Sequence, residues 1–89
     1  MRVVFDFIYK ATIVKREDGK IEVTSYNSPY VSSQNTQSID DIKYAIEKLK
    51  IINPEELETG REYYIELLCR FVQNEDKSFD QIFKLEKIK

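Results

Sequence analysis

Histidine and tryptophan are both absent from this chain, which holds only one cysteine, two glycines and two prolines. Without histidine the commonest general base and the commonest metal ligand are missing, and no Ser-His or Cys-His pair can form. The lone Cys69 allows neither an intrachain disulfide nor a thiolate metal cluster, and its expected place is a small buried core position. Gly19 and Gly60 stand far apart, so no glycine-rich loop can cradle a phosphate. So few glycines and prolines also leave room for few loops. No cofactor and no metal is expected.

Strong charge of either sign is lacking too. Fourteen basic and 16 acidic residues give a formal charge of −2, and the densest basic pair, Lys15-Arg16, runs straight into Glu17-Asp18. A nucleic-acid binder needs a basic stripe that displaces counterions, and a DNA mimic needs a far more acidic face. The weak nucleic-acid-binding regulator is the last-placed reading. No long apolar run exists, because Asp6 breaks the opening Met1–Phe5 well short of a membrane span or signal peptide. The expected location is the cytoplasm, or the envelope or exterior if an upstream export segment was removed.

What is present is a folding pattern. Eighty-nine residues, 42% apolar and 34% charged, suit one α+β domain rather than a disordered chain. Val3, Phe5, Phe7, Tyr9, Ala11 and Ile13 alternate with Val4, Asp6, Ile8, Lys10, Thr12 and Val14. That period of two predicts a long strand with one apolar and one mixed face. A three-residue loop with Gly19 in the left-handed region pairs Ile13 with Val23 and joins the apolar rows. A two-residue turn would instead pair Val14 with Val23 and bury the wrong face.

Residues 24–38 contain no charge; the first part continues strand two and the rest reads as a polar loop. Ser38 is the expected helix cap, with Asp40 and Asp41 at the positive end of the dipole. Ile39, Ile42, Ala45, Ile46 and Leu49 form an apolar stripe, so an amphipathic helix is predicted over 38–51. Lys43 and Glu47 sit four apart on its outer face. Asn53-Pro54-Glu55-Glu56 predicts a short helical turn with Leu57 inward. A second long strand is predicted over 61–73, with Tyr63, Ile65, Leu67, Cys69 and Phe71 on its apolar face. Residues 78–88 can be read as helix or strand; a strand is preferred because it would cover one edge of strand three. The outcome is a ββαββ order: a mainly antiparallel sheet with one helix across its apolar face.

Could paired carboxylates perform acid/base work? Asp6, Glu22, Glu66 and Asp80 lie on or near strands, but such a pair needs a cleft that moves their pKa values apart. One helix on one small sheet leaves little room for it, so no enzyme activity is expected. The function read from the residues is a small protein-binding module, of the size and chemical plainness common among regulators of phages and mobile elements. Its contact surface is expected on the uncharged loop and a sheet face, with Tyr26, Asn27, Tyr30, Gln34, Asn35, Tyr44 and Tyr64 as candidates. Tyr, Ser and Asn combine rigid amphipathic area with adaptable hydrogen bonding. The competing reading of that loop is a solvated connector. The mixed faces add Val4, Ile8, Val14, Leu68 and Val72 as a second apolar surface. Pairing of edge strands between copies, giving a homodimer or assembly component, is the alternative.

Two resemblances carry further expectations. The Ser-Ile-Asp-Asp helix start followed by Asn-Pro-Glu-Glu-Leu is loosely similar to the ubiquitin-like order of elements, although strand one is longer and no diglycine tail occurs. Tyr9-Lys10-Ala11-Thr12-Ile13-Val14, the helix Ile39–Leu49, and Leu57-Glu58-Thr59-Gly60-Arg61-Glu62-Tyr63-Tyr64-Ile65 resemble domain-of-unknown-function family 4390, a group of small exported bacterial proteins. That resemblance implies an envelope location and supplies no activity or functional residues. An export signal and the proline-bearing segment expected after the last matched strand are missing.

Overall fold

Alternating side chains close first into a long hairpin. In the computed structural model, which describes residues 4–27 and 35–89, β1 (Val4–Lys15) pairs antiparallel with β2 (Ile21–Tyr26). The Arg16 N–H donates to the Lys20 carbonyl at 2.8 Å and the Gly19 N–H to the Arg16 carbonyl at 2.9 Å. Gly19 takes φ +85°, so the loop is Glu17-Asp18-Gly19, the three-residue form, and Ile13 faces Val23 as expected. Thr24 is an extra residue between the Ile13–Val23 and Thr12–Ser25 pairs, and its hydroxyl bonds the Thr12 hydroxyl at 2.8 Å.

The helix α1 spans Asn35–Glu47, shifted toward the N-terminus from the expected 38–51. Ser38 therefore lies inside the helix instead of capping it, and Asn35–Ser38 are helix where loop was expected. Asp40 and Asp41 fall beyond the first turn. Asp41 instead accepts the Tyr9 hydroxyl at 2.9 Å. The helix closes through Lys50, held at φ +51°, with the Ile51 N–H reaching back to the Ala45 carbonyl at 3.3 Å, the pattern of a left-handed helix end. Because regular helix stops at Glu47, Leu49 leaves the apolar stripe and is 45% exposed. Lys43 and Glu47 form no ion pair among the described residues.

A short 3-10 turn, Pro54–Glu56, follows the cap Asn53, whose side chain accepts the Glu55 N–H at 3.0 Å. It turns Leu57 inward as expected. Strands β3 (Glu62–Gln73) and β4 (Phe79–Ile88) then complete an antiparallel sheet of order β2-β1-β3-β4. Residues 79–88 are thus strand. Directly paired residues share a face, so Tyr9–Leu67 and Ile13–Tyr63 point to the helix, while Val4–Val72, Asp6–Arg70 and Ile8–Leu68 point away.

The core lies between one sheet face and α1. Tyr9, Ala11 and Ile13 of β1 and Tyr63, Ile65, Leu67 and Cys69 of β3 meet Ile42, Ala45 and Ile46, with Ile52 and Leu57 closing it from the connection. No helix among the described residues is long and apolar enough to cross a membrane.

Candidate functional site: the uncovered part of the sheet

Length decides where this protein has free surface. The 12-residue strands β1 and β3 run ~40 Å, whereas the 13-residue helix runs only ~20 Å. One helix therefore cannot cover even its own face of the sheet, and among the described residues nothing covers the other face.

On that open face the rows run across the strands as Val4–Val72–Asp80, Asp6–Arg70–Ile82, Ile8–Leu68–Lys84 and Lys10–Glu66–Lys87. Val4 is 50%, Ile8 40% and Ile82 53% exposed, while Leu68 and Val72 are half-buried. Between the apolar rows Arg70 holds Asp6 with two parallel hydrogen bonds, Nε to Oδ1 at 2.8 Å and Nη2 to Oδ2 at 3.0 Å. These bonds hold the Asp6 carboxyl below its ordinary pKa and raise that of Arg70. A bidentate pair fixes both side chains in place. The expected exposure of Val4 and Ile8 is thereby met; Val14, Leu68 and Val72 are only half-buried.

The helix-side face is bare at the same end. Phe5 and Phe79 are 47% and 48% exposed, and their rings stand 6.2 Å apart. Phe71 contacts both Phe79 and Phe7 edge-on, at 6.5 and 5.7 Å. All five phenylalanines of the chain sit on this face of the sheet, beyond or at the margin of the buried core.

The tyrosine and amide candidates do not converge. Tyr26 lies at the end of β2 on the helix side, opposite Ala11. Asn27 clamps the strand end, accepting the Lys10 N–H at 2.7 Å and donating its own N–H to the Lys10 carbonyl at 2.9 Å. Tyr44 is on the outer side of α1, its ring 6.2 Å from Phe83 of β4, at the opposite edge from Tyr26. Tyr64 is on the open face, where its hydroxyl donates to Glu66 at 2.8 Å and that bond raises its pKa. Asn35 is the first residue of α1. Tyr30 and Gln34 lie outside the described residues. The residues that sequence reasoning missed are Phe5, Phe79 and Ile82. Alternation assigned Phe5 to the core face correctly, but strand alternation alone does not tell how far the helix reaches.

Cys69 is buried, and burial pushes its thiol up to about 11, with the Asp41 charge adding to the effect. Gln81 donates to its sulfur at 3.8 Å. A thiol so poor in thiolate is a core residue rather than a nucleophile. A groove of about 460 Å³ lies at the other end of the molecule, where Gly19, Lys20 and Ile21 of the first hairpin face Ile46, Glu47 and Lys50. Among the described residues of its lining Glu47 is the one carboxylate, so those residues bring no pair of acids together.

Sheet, register and one covering helix define an α+β protein with a partly bare antiparallel sheet. No family model, no curated protein and no solved structure matches the chain.

Proposed function

We propose that this chain is a small, non-enzymatic protein-binding module that grips a partner with the bare part of its sheet. The observations that support this are the mismatch between ~40 Å strands and a ~20 Å helix, which leaves Phe5 and Phe79 exposed on the helix side, and an opposite face that nothing among the described residues covers, where Val4, Ile8 and Ile82 are exposed. An apolar patch framed by polar residues is the usual mark of a protein contact. Arg70, locked by Asp6, stands among these side chains as the kind of ordered arginine that anchors interfaces. Tyr64 borders the same face, whereas Tyr26 and Tyr44 would reach a partner only if it wrapped round opposite edges. The uncharged stretch 24–38 joins this reading through Tyr26 and Asn27.

Affinity capture from the cells that encode the chain, followed by binding to the purified captured protein, tests the reading. The wild-type chain should hold a specific partner, and the paired change Ile8→Thr with Leu68→Thr should release it while circular dichroism shows the fold retained. Equal capture by the folded variant, or no specific partner for the wild type, would remove the open face from the function.

A further inference from the structure

β4 ends the sheet, and among the described residues no strand pairs with its outer side. Edge strands are ordinarily kept short or strongly charged to prevent pairing. This one is 10 residues long, its two acids and two lysines (Asp80, Glu86, Lys84, Lys87) cancel in net charge, and it carries Phe79 and Ile82, 48% and 53% exposed. We propose that the outer edge of β4 is a self-association interface, in which β4 pairs antiparallel with β4 of a second copy about a two-fold axis through Ile82.

Backbone geometry permits that register. The Asn74 N–H donates to the Ser78 carbonyl at 2.7 Å, which fixes the parity of the ladder. Asp80, Ile82 and Lys84 then turn their backbone groups toward β3, and Phe79, Gln81, Phe83 and Leu85 turn theirs to the free edge. Antiparallel pairing centred on Ile82 sets Gln81 against Phe83 of the partner subunit and Phe79 against Leu85 of the partner subunit. All of these are positions with outward donors and acceptors, so the ladder continues without a gap.

The side chains are complementary in the same register. On the open face Ile82 meets Ile82 of the partner subunit, and Asp80 meets Lys84 of the partner subunit on both sides of the axis. Among the described residues neither Asp80 nor Lys84 makes an ion pair within the chain. Sliding the strand by two residues toward Leu85 instead opposes Asp80 to Glu86, a like-charge contact directly across the strands. On the helix side the pairing of Phe79 with Leu85 extends the cluster of Phe5, Phe71 and Phe79. This interface shares Phe79 and Ile82 with the bare part of the sheet and adds the free backbone edge of β4; the Asp80 and Lys84 exchanges test it apart from the Ile8→Thr, Leu68→Thr variant.

Sedimentation equilibrium over ~10 µM to ~1 mM is suited to an interface at the small end of the protein–protein range. The wild type should show a reversible monomer–dimer equilibrium. Asp80→Lys and Lys84→Asp, which each oppose like charges twice across the axis, should weaken it by about 10-fold or more. Combining the two exchanges should restore the wild-type dissociation constant to within about threefold, with circular dichroism unchanged throughout. A chain that stays monomeric to ~1 mM, single variants that dimerise as well as wild type, or a combined variant that fails to recover would each overturn the proposal.

Discussion

Lys77 takes, at the tip of the second hairpin, the left-handed conformation that Gly19 takes at the tip of the first. Their φ angles are +69° and +85°. In both hairpins the residue three before it accepts its N–H: Arg16 accepts from Gly19 at 2.9 Å and Asn74 from Lys77 at 3.0 Å. The two loops share one geometry, and only one has the residue best suited to it. In each loop the central aspartate accepts an N–H two residues on, Asp18 from Lys20 and Asp76 from Ser78, both at 3.0 Å; Asp76 also accepts the Ser78 hydroxyl at 2.5 Å, and its bonds lower its pKa.

Lys77→Gly should therefore raise stability, by up to about 1 kcal/mol after the greater freedom of glycine in the unfolded chain is subtracted. Gly19→Ala should lower it by about 1–2 kcal/mol. An added Cβ at Gly19 meets nothing within 4 Å, so that loss is conformational and not steric. Urea unfolding of both variants is the check. A fall in stability for Lys77→Gly, or none for Gly19→Ala, would contradict the shared loop geometry.

The Asp6–Arg70 pair predicts a pH dependence with a definite sign. Hydrogen bonds from Arg70 place the folded pKa of Asp6 below its unfolded value. Asp6 thus stabilises the fold above the ordinary carboxylate range, and that contribution is lost as the pH falls through its folded pKa. Asp6→Asn should be less stable than wild type at about pH 7, with the gap closing by about pH 2. Asp76 titrates in the same direction but is present in both proteins, so it cancels. Both partners are about half exposed, with side-chain exposures of 46% and 45%, so salt should narrow the gap at neutral pH. A gap that stays constant from neutral to acid would show that the pair contributes nothing as an ion pair.

Strand faces were readable because the period of two is unambiguous in Val3–Val14 and Tyr63–Val72. The position of Gly19 is enough to set the hairpin register, with Ile13 against Val23. The helix start was misplaced for a non-local reason: Ser38-Ile39-Asp40-Asp41 has the composition of a helix start, yet Asn35 begins the helix and Asp41 serves Tyr9 of β1 instead. No local pattern reports a partner 32 positions away. The contact surface was only half legible for the same reason. Alternation identifies Val4, Ile8 and Leu68 as one face, but pairing of Asp6 with Arg70, 64 positions apart, and the bare end marked by Phe5 and Phe79 depend on three-dimensional reach. Tyr26, Tyr44 and Tyr64 were grouped by composition, and the sheet order separates them.

The sidedness of β1 is the point on which the contact surface depends, and two substitutions on one strand measure it. Ile13 is fully buried and Ile8 is 40% exposed on the opposite face. Threonine keeps the β-branched shape that strands favour, so exchanging each for threonine changes mainly what burial sees. In denaturant unfolding, Ile8→Thr should stay within about 0.5 kcal/mol of wild type, while Ile13→Thr should lose about 2 kcal/mol or more. Equal losses, or a larger one at Ile8, would mean that both faces are covered and that no bare sheet face exists for a partner to hold.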